Sequence, residues 1–154
     1  MNINDILSEK SILVNFTASS KKHVLDSLSK LAEREIKVSY KTILDNLIKR
    51  EKLGSTAVGN GIAIPHTTES SLKKPKGFLA ILSNGLEFNA NDDQPVDIIF
   101  LLLAPANNGS VHLQALASVS RLLRNNELIS KLRGCKTKQS ALAVISQTNQ
   151  DEAA

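Results

Sequence analysis

The chain has 154 residues with one cysteine, no tryptophan and 3% aromatic residues, and its formal net charge is +4 at pH 7. The lone cysteine excludes an internal disulfide and any metal site built from several thiolates, and it suits a reducing compartment. Two features argue against a nucleic-acid surface. Aromatic side chains are scarce, and the basic residues occur as short pairs such as Lys21-Lys22 and Lys73-Lys74 instead of one long run.

The length predicts one domain, which we place at residues 1–147, and polar residues 148–154 predict a disordered tail. A hydrophobic content of 42% is enough for a core without disulfides or metal. The N-terminus lacks a signal pattern, and the longest apolar run, Ile98 to Ala106, is far too short to cross a membrane. We therefore expect a cytoplasmic protein that does not insert into a membrane.

The first half of the chain predicts one strand and two helices. Residues 11–16 are predicted to form the strand. Ser19 or Ser20 can cap the first helix, Ser39 can cap the second, and Gly54 can end it. Both helices place apolar residues on one face. These residues are Val24, Leu25, Leu28, Leu31 and Ala32 in the first helix, and Tyr40, Ile43, Leu44, Leu47 and Ile48 in the second.

The second half alternates strands and helices. Strands are predicted at residues 61–65, 78–82 and 96–103, and the last is long and strongly apolar, as a central strand covered on both faces would be. Helices are predicted to begin at Gly109-Ser110 and to cover residues 126–133 and 137–147. This interleaving indicates an α/β fold with helices packed on a sheet.

His66 is the first candidate for chemistry. It follows Ile64-Pro65, and a strand that stops at Pro65 would place His66 at the end of the strand, near water. Imidazole has an unperturbed pKa near neutrality, so much of it is uncharged and nucleophilic there. Taken alone, His66 is more commonly interpreted as an ordinary loop residue.

His112 is the second candidate, because it lies in the first turn of the helix that follows the long central strand. In open α/β sheets, ligands bind beyond the carboxyl ends of strands, and helix starts suit anions. The alternative is a helix-capping or partly buried histidine. The third histidine, His23, is predicted to be a surface residue.

The segment that precedes His66 offers groups for an anion. Arg50 presents a planar fork of donors that matches phosphate oxygens, and Ser55 and Thr56 add hydroxyls. Arg50 can instead be a salt-bridging helix residue, paired with Asp45 or Glu51. The segment is not a P-loop, no Gly-x-Ser-x-Gly motif for a hydrolase is present, and no spacing supports a metal site.

Three blocks of the chain carry a family resemblance. Residues 50–66, Arg-Glu-Lys-Leu-Gly-Ser-Thr-Ala-Val-Gly-Asn-Gly-Ile-Ala-Ile-Pro-His, resemble the active-site segment of the enzyme IIA proteins of the bacterial phosphotransferase system. The resemblance is to the fructose/mannitol superfamily, and within it to the nitrogen-regulatory type. Residues 93–105 and 112–117 match in the same order, and the likeness covers residues 3–147.

The resemblance implies a three-layer α/β sandwich, with a mixed sheet flanked by helices, like other phosphotransferase/anion transport proteins. It implies that His66 accepts a phosphoryl group on Nε2, that His112 is a second active-site histidine, and that Arg50 helps to hold the phosphate. No metal or cofactor is implied. The donor would be an HPr-like phosphocarrier protein, and the regulated targets would be proteins such as potassium transporters or sensor kinases.

Two further functions stay open beside the regulatory phosphocarrier. One is a sugar-specific enzyme IIA that passes its phosphate to a fructose or mannitol permease domain, and the other is an interaction module that no longer carries phosphate. The free-standing chain favours the regulatory protein, and the intact Pro65-His66 and His112 argue against the interaction module.

The residues after His66 depart from the family pattern, in which glycine and then a basic residue commonly follow the histidine. Here Thr67, Thr68 and Glu69 stand in those positions. A left-handed backbone at Thr67 would cost energy, and Glu69 would repel a bound phosphate if it pointed inward.

Overall fold

A computed structural model describes residues 2–153 as a six-stranded mixed sheet with helices on both faces, which confirms the predicted α/β fold. Two single-turn 3-10 helices, Ile3–Asp5 and Glu9–Ser11, precede the first strand. The strands are β1 (Ile12–Phe16), β2 (Ala57–Gly59), β3 (Ile62–Ala63), β4 (His66–Glu69), β5 (Lys76–Leu86) and β6 (Val96–Pro105). The helices are α1 (Lys21–Ile36), α2 (Tyr40–Lys52), α3 (Gly109–Leu123), α4 (Asn126–Arg133) and α5 (Lys138–Ala153).

Strand β6 is the central element of the sheet. The strand order is β1-β5-β6-β3-β2, and β4 also pairs with β6. β5 runs antiparallel to β6, whereas β3 and β4 run parallel to it. Every residue of β6 except Asp97 is buried, as the apolar run predicts.

The two faces of β6 belong to two separate cores. Ile98, Phe100 and Leu102 pack with α3, α4 and α5, whereas alternate residues such as Ile99 and Leu101 pack with α1 and α2. Fully burying each such side chain stabilises the fold by about 1.5–3 kcal/mol. A residue's position in the sheet therefore decides which helical layer it faces.

The N-terminal cap of α1 is as predicted, whereas that of α2 differs from the prediction. The Ser20 side chain accepts a hydrogen bond from the backbone N–H of His23, as expected for an N-cap. Ser39 precedes α2, but its side chain makes no capping bond. Glu33 Oε2 instead accepts the backbone N–H of Tyr40 at 2.9 Å.

Strands β2 and β3 form a hairpin that the sequence reasoning did not predict. Gly59 pairs with Ile62, and the two residues between them have positive φ angles, 57° for Asn60 and 82° for Gly61. Two positive φ angles at a two-residue loop are the mark of a type I′ turn, which favours Asn-Gly.

Residues 148–153 of the predicted disordered tail belong to the C-terminal helix, and residue 154 lies outside the described residues. α5 continues to Ala153, and its second half is attached to the N-terminal segment. Ser146 Oγ donates to Asn4 Oδ1 at 2.7 Å, and Asn149 Nδ2 donates to Asn2 Oδ1 at 3.1 Å. These contacts order a stretch whose polar composition alone predicts disorder. Within residues 2–153, none of the helices has the length and apolar character needed to cross a membrane.

The turn at Gly61 yields a stability prediction. A Cβ at Gly61 would lie 2.5 Å from Arg133 Nη2 and 3.0 Å from Asp97 Oδ1, in addition to requiring φ of 82°. We expect Gly61→Ala to lower the free energy of unfolding in urea by about 1–3 kcal/mol. Gly109→Ala is the matched control, because a Cβ there meets no atom within 4 Å, and it should leave stability unchanged or slightly raised. Equal losses in the two variants would contradict this account of the turn.

Candidate functional site

His66 begins a strand rather than a loop. β3 and β4 share one register against β6, with Ile62 opposite Ile98 and His66 opposite Leu102. Pro65 has no N–H to give to a ladder, so it interrupts the strand, but its carbonyl still accepts the Leu102 N–H at 2.9 Å. β3 therefore ends before Pro65, close to the predicted end, but pairing with β6 resumes beyond the proline, so His66 begins β4 instead of lying in a loop.

The His66 ring is held by a backbone carbonyl. Its Nδ1 lies 2.8 Å from the carbonyl oxygen of Ile64, and the side chain is partly buried. A carbonyl oxygen can only accept, so Nδ1 carries the proton. In the neutral ring this leaves Nε2 with a free lone pair, as a nucleophile requires.

The structure brings His112 next to His66. The ring centroids are 5.6 Å apart, and the rings meet edge to face at 68°. His66 shares its register position with Leu102, whose face of the sheet packs against α3, and His112 lies in the first turn of α3. Asn108 caps this helix by accepting the Val111 N–H at 3.3 Å, so the predicted helix start is confirmed.

One nitrogen of His112 lacks a partner. Nε2 of His112 is buried and makes no hydrogen bond to the part of the chain that the structure describes. A buried polar atom without a partner is costly and typical of functional sites. Burial first, and repulsion by His66 second, lower the pKa of His112 below its ordinary value of 6.5. Both effects favour the uncharged form of His112.

Arg50 lies in the last turn of α2, the helix that packs against β4. Its Nη1 donates to the carbonyl oxygen of Gly54 at 2.8 Å. The predicted alternative, an ion pair with Asp45 or Glu51, does not form among the described side chains, and Glu51 pairs with Lys21 instead. The guanidinium group has five N–H donors, so this bond leaves the others available to an anion. Within the part of the chain that the structure describes, no hydrogen bond or ion pair links Arg50 to His66 or His112.

The hydroxyls of Ser55 and Thr56 are used within the loop. Ser55 Oγ donates to the carbonyl oxygen of Phe88 at 2.6 Å, and the buried Thr56 donates its hydroxyl to Glu51 Oε1. Both hydroxyl protons are therefore engaged in this structure. Glu51 and its partner Lys21 are residues that the sequence reasoning missed, because their pairing depends on the packing of α1 against α2.

The departure after His66 is accommodated by β4. Thr67 is absent from the residues with positive φ, because it lies in the strand, so its Cβ causes no strain. Side chains alternate along a strand, which places Thr67 and Glu69 on the face opposite to His66. Glu69 Oε1 instead lies 3.4 Å from the backbone nitrogen of Ser71. Glu69 therefore does not point to the same side of the strand as His66.

His23 is exposed, as predicted, and its Nδ1 accepts the Ser19 N–H at 3.0 Å. Among the residues that the structure describes, no three His, Cys, Asp or Glu side chains are grouped as a metal ion would require. The site thus offers an imidazole nitrogen with a free lone pair beside a second imidazole that has an unpartnered nitrogen. Such a pair suits transfer of an electrophilic, anionic group.

Comparison with known proteins gives matches that cover from 68% to nearly all of the chain. Residues 5–148 match the sequence model of the family "Phosphoenolpyruvate-dependent sugar phosphotransferase system, EIIA 2". A nitrogen regulatory protein of Bradyrhizobium diazoefficiens is 40% identical over 145 residues, which are 94% of this chain and 95% of that protein. A fructose-specific EIIA component of the same system from Haloferax volcanii is 38% identical over 104 residues, 68% of each chain.

A solved structure shows the same fold. The crystal structure of nitrogen regulatory protein IIA-Ntr from Neisseria meningitidis has a TM-score of 0.87 and 31% identity, and the match covers 93% of this chain and 98% of that one. The fold expected from the resemblance, a mixed sheet between helical layers, is confirmed.

The two causes of the His112 shift can be separated by NMR. In a pH titration of the ring proton signals, we expect His112 to titrate below its ordinary value of 6.5, and His66→Ala to raise its pKa only partly, because burial is the larger cause. The unfolded chain takes up this proton at higher pH than the folded chain, so the associated stability is present above about pH 6.5 and is lost as pH falls. Full return to the ordinary pKa in His66→Ala would show that repulsion, and not burial, dominates.

Proposed function

Because the chain belongs to the EIIA 2 family of the phosphoenolpyruvate-dependent sugar phosphotransferase system, we propose that it is a regulatory phosphocarrier. It accepts a phosphoryl group on Nε2 of His66 from an HPr-like phosphohistidine protein. It then regulates target proteins according to its phosphorylation state. The single observation that supports this most strongly is the hydrogen bond from His66 Nδ1 to the Ile64 carbonyl, which leaves Nε2 free to attack.

The transfer is an in-line displacement at phosphorus. The lone pair of His66 Nε2 forms the new N–P bond as the N–P bond of the donor breaks, and the donor imidazole keeps the electron pair of that bond. The passing group is metaphosphate-like, with charge spread over three equatorial oxygens. Catalysis then consists mainly of positioning and charge stabilisation, which we propose that side chains of this chain supply.

Two groups are proposed to stabilise the transferred phosphoryl. His112, whose ring centroid lies 5.6 Å from that of His66, is proposed to donate an N–H to a phosphoryl oxygen, which would give its unpartnered Nε2 a hydrogen bond. Arg50 supplies positive charge from its remaining guanidinium donors. Ser55 and Thr56 are proposed to position the loop beside the phosphate, because their hydroxyls bond to Phe88 and Glu51. They would bind the phosphate directly once their hydroxyls leave these partners for a phosphoryl oxygen.

Regulation follows from the charge that the site gains. A phosphorylated side chain carries about −1.5 to −2 charges at neutral pH. That charge would repel one partner surface and attract another. The 40% identity to a nitrogen regulatory protein supports a regulatory role. We propose that this role is exerted in the cytoplasm, on targets such as potassium transporters or sensor kinases.

A sugar-transport role is the second candidate, supported by the 38% identity to a fructose-specific EIIA component. The two roles differ in where the phosphate goes. A transport protein passes it rapidly to a permease domain, whereas a regulator keeps it. An interaction module without phosphate is the third candidate, and the free Nε2 beside His112 argues against it.

Phosphoryl acceptance can be tested by mutation. Incubated with phosphoenolpyruvate, enzyme I and an HPr-like carrier, the wild-type protein and His23→Ala should gain one acid-labile phosphoryl mass, and His66→Ala should gain none. His112→Ala and Arg50→Ala should still bind the carrier but transfer roughly 100-fold more slowly or lose the phosphate sooner, because each removes a charge-stabilising donor. An acid-labile gain in His66→Ala would overturn the assignment of the acceptor.

The fate of the phosphate separates the candidates. When the phosphorylated protein is mixed with fructose and mannitol permease domains, we expect the phosphoryl mass to persist, with no sugar phosphate formed. Fast discharge would favour the transport protein, and no initial gain from any carrier would favour the interaction module.

A further inference from the structure

Glu51 is a buried charge that the proposed transfer does not use directly. Its side chain is only 6% exposed, and it lies in the last turn of α2, directly after Arg50. We propose that Glu51, held by Lys21, is a positioning residue for His66, and that it acts through Thr56 and Ile64 to keep the proton of His66 on Nδ1. The effect on transfer rests on the proposed function, whereas the effect on the proton does not.

The first link is the ion pair between Glu51 and Lys21. Lys21 Nζ lies 2.8 Å from Glu51 Oε2, and Lys21 is the first residue of α1. The same ammonium group lies 3.4 Å from the carbonyl oxygen of Phe88 and 4.6 Å from the centre of its ring. The buried carboxylate is thereby compensated and fixed from the side of α1 and the segment at Phe88.

The second link joins the carboxylate to Thr56. Oε2 of Glu51 accepts the Thr56 backbone N–H at 3.2 Å, and Oε1 accepts the Thr56 hydroxyl. Both oxygens of the carboxylate are therefore bonded to one residue of the loop. Two bonds to adjacent groups fix the orientation of the Thr56 peptide as well as its position.

The third link runs from Thr56 to the His66 ring. The Thr56 carbonyl accepts the Ile64 N–H at 3.0 Å, and the Ile64 carbonyl accepts the His66 Nδ1–H at 2.8 Å. Pro65 follows Ile64 and has no N–H, so the Ile64 N–H, which is bonded to Thr56, is the last backbone donor before His66. A shift of Thr56 would therefore tilt the carbonyl that sets the histidine tautomer.

A buried carboxylate is a poor choice for stability alone. Taking the two charges of such a pair out of water costs free energy, and well-packed apolar residues often serve equally well. What an apolar residue cannot supply is a pair of directional bonds to the Thr56 N–H and hydroxyl. The geometry is thus better explained by orientation of the loop than by its packing.

The test measures the tautomer and needs no phosphate donor. In ring-¹⁵N-labelled wild-type protein at a pH where His66 is neutral, NMR should show His66 protonated on Nδ1 only. Glu51→Ala should show a mixture of the two neutral tautomers, and transfer from an HPr-like carrier should slow by roughly tenfold or more because Nε2 is less often free and correctly aimed. Glu51→Gln keeps one acceptor oxygen for the Thr56 backbone N–H, and its amide N–H can donate to the Thr56 hydroxyl, so it should restore much of the Nδ1–H form.

Glu33→Ala is the matched control, since Glu33 also accepts a backbone N–H, that of Tyr40, but has no link to His66. It should leave the tautomer of His66 unchanged. A folded Glu51→Ala protein with His66 still protonated on Nδ1 only, or an equal change in Glu33→Ala, would overturn the proposal.

If Glu51→Ala does not fold, Thr56→Val compared with Thr56→Ser applies the same test, with a tautomer mixture expected only in Thr56→Val. A wild-type protein that accepts no phosphate but shows the predicted tautomers would refute the proposed function and leave this positioning role standing.

Discussion

The hydrogen bond from His66 Nδ1 to the Ile64 carbonyl is the interaction on which the rest of the site depends. An imidazole can attack only through a nitrogen that has a lone pair, and a neutral ring without a fixed acceptor distributes its proton over both nitrogens. The acceptor here is a backbone carbonyl two residues away, and the N–H of the same residue, Ile64, is bonded to the Thr56 carbonyl, so its position is set by the fold. A tertiary structure built around β6 therefore determines the chemistry of one nitrogen atom.

The sheet explains why that carbonyl and the two histidines meet. β3 and β4 pair with β6 in one register. At the break between them, the Ile64 carbonyl accepts the hydrogen bond from the His66 ring, while the Pro65 carbonyl keeps the pairing with β6 through the Leu102 N–H. The end of β6 leads into α3, which returns His112 to the same face of the sheet. On the opposite face, α1 and α2 supply Lys21 and Glu51, which fix the preceding loop. One strand thus organises contributions from distant parts of the sequence.

Local patterns predicted most of the fold. The helices follow from apolar periodicity and capping residues, and β6 follows from its apolar run, because both signals lie within a few adjacent residues. β2 and β4 escaped prediction, since His-Thr-Thr-Glu has no apolar alternation and its strand exists only through pairing with β6. The Asn60-Gly61 pair was the available signal for the β2–β3 hairpin. The residues of the site were named from motif and position, but their hydrogen bonds were not, because the Phe88 carbonyl and Lys21 that define the loop are remote in sequence.

The central claim concerns the nitrogen that accepts the phosphoryl group. It is tested most directly by transferring phosphate from an HPr-like carrier to ring-¹⁵N-labelled protein and measuring one-bond coupling between phosphorus and nitrogen by NMR. The account predicts a single coupling, to Nε2 of His66. Coupling to Nδ1 of His66, or to a nitrogen of His112, would contradict it.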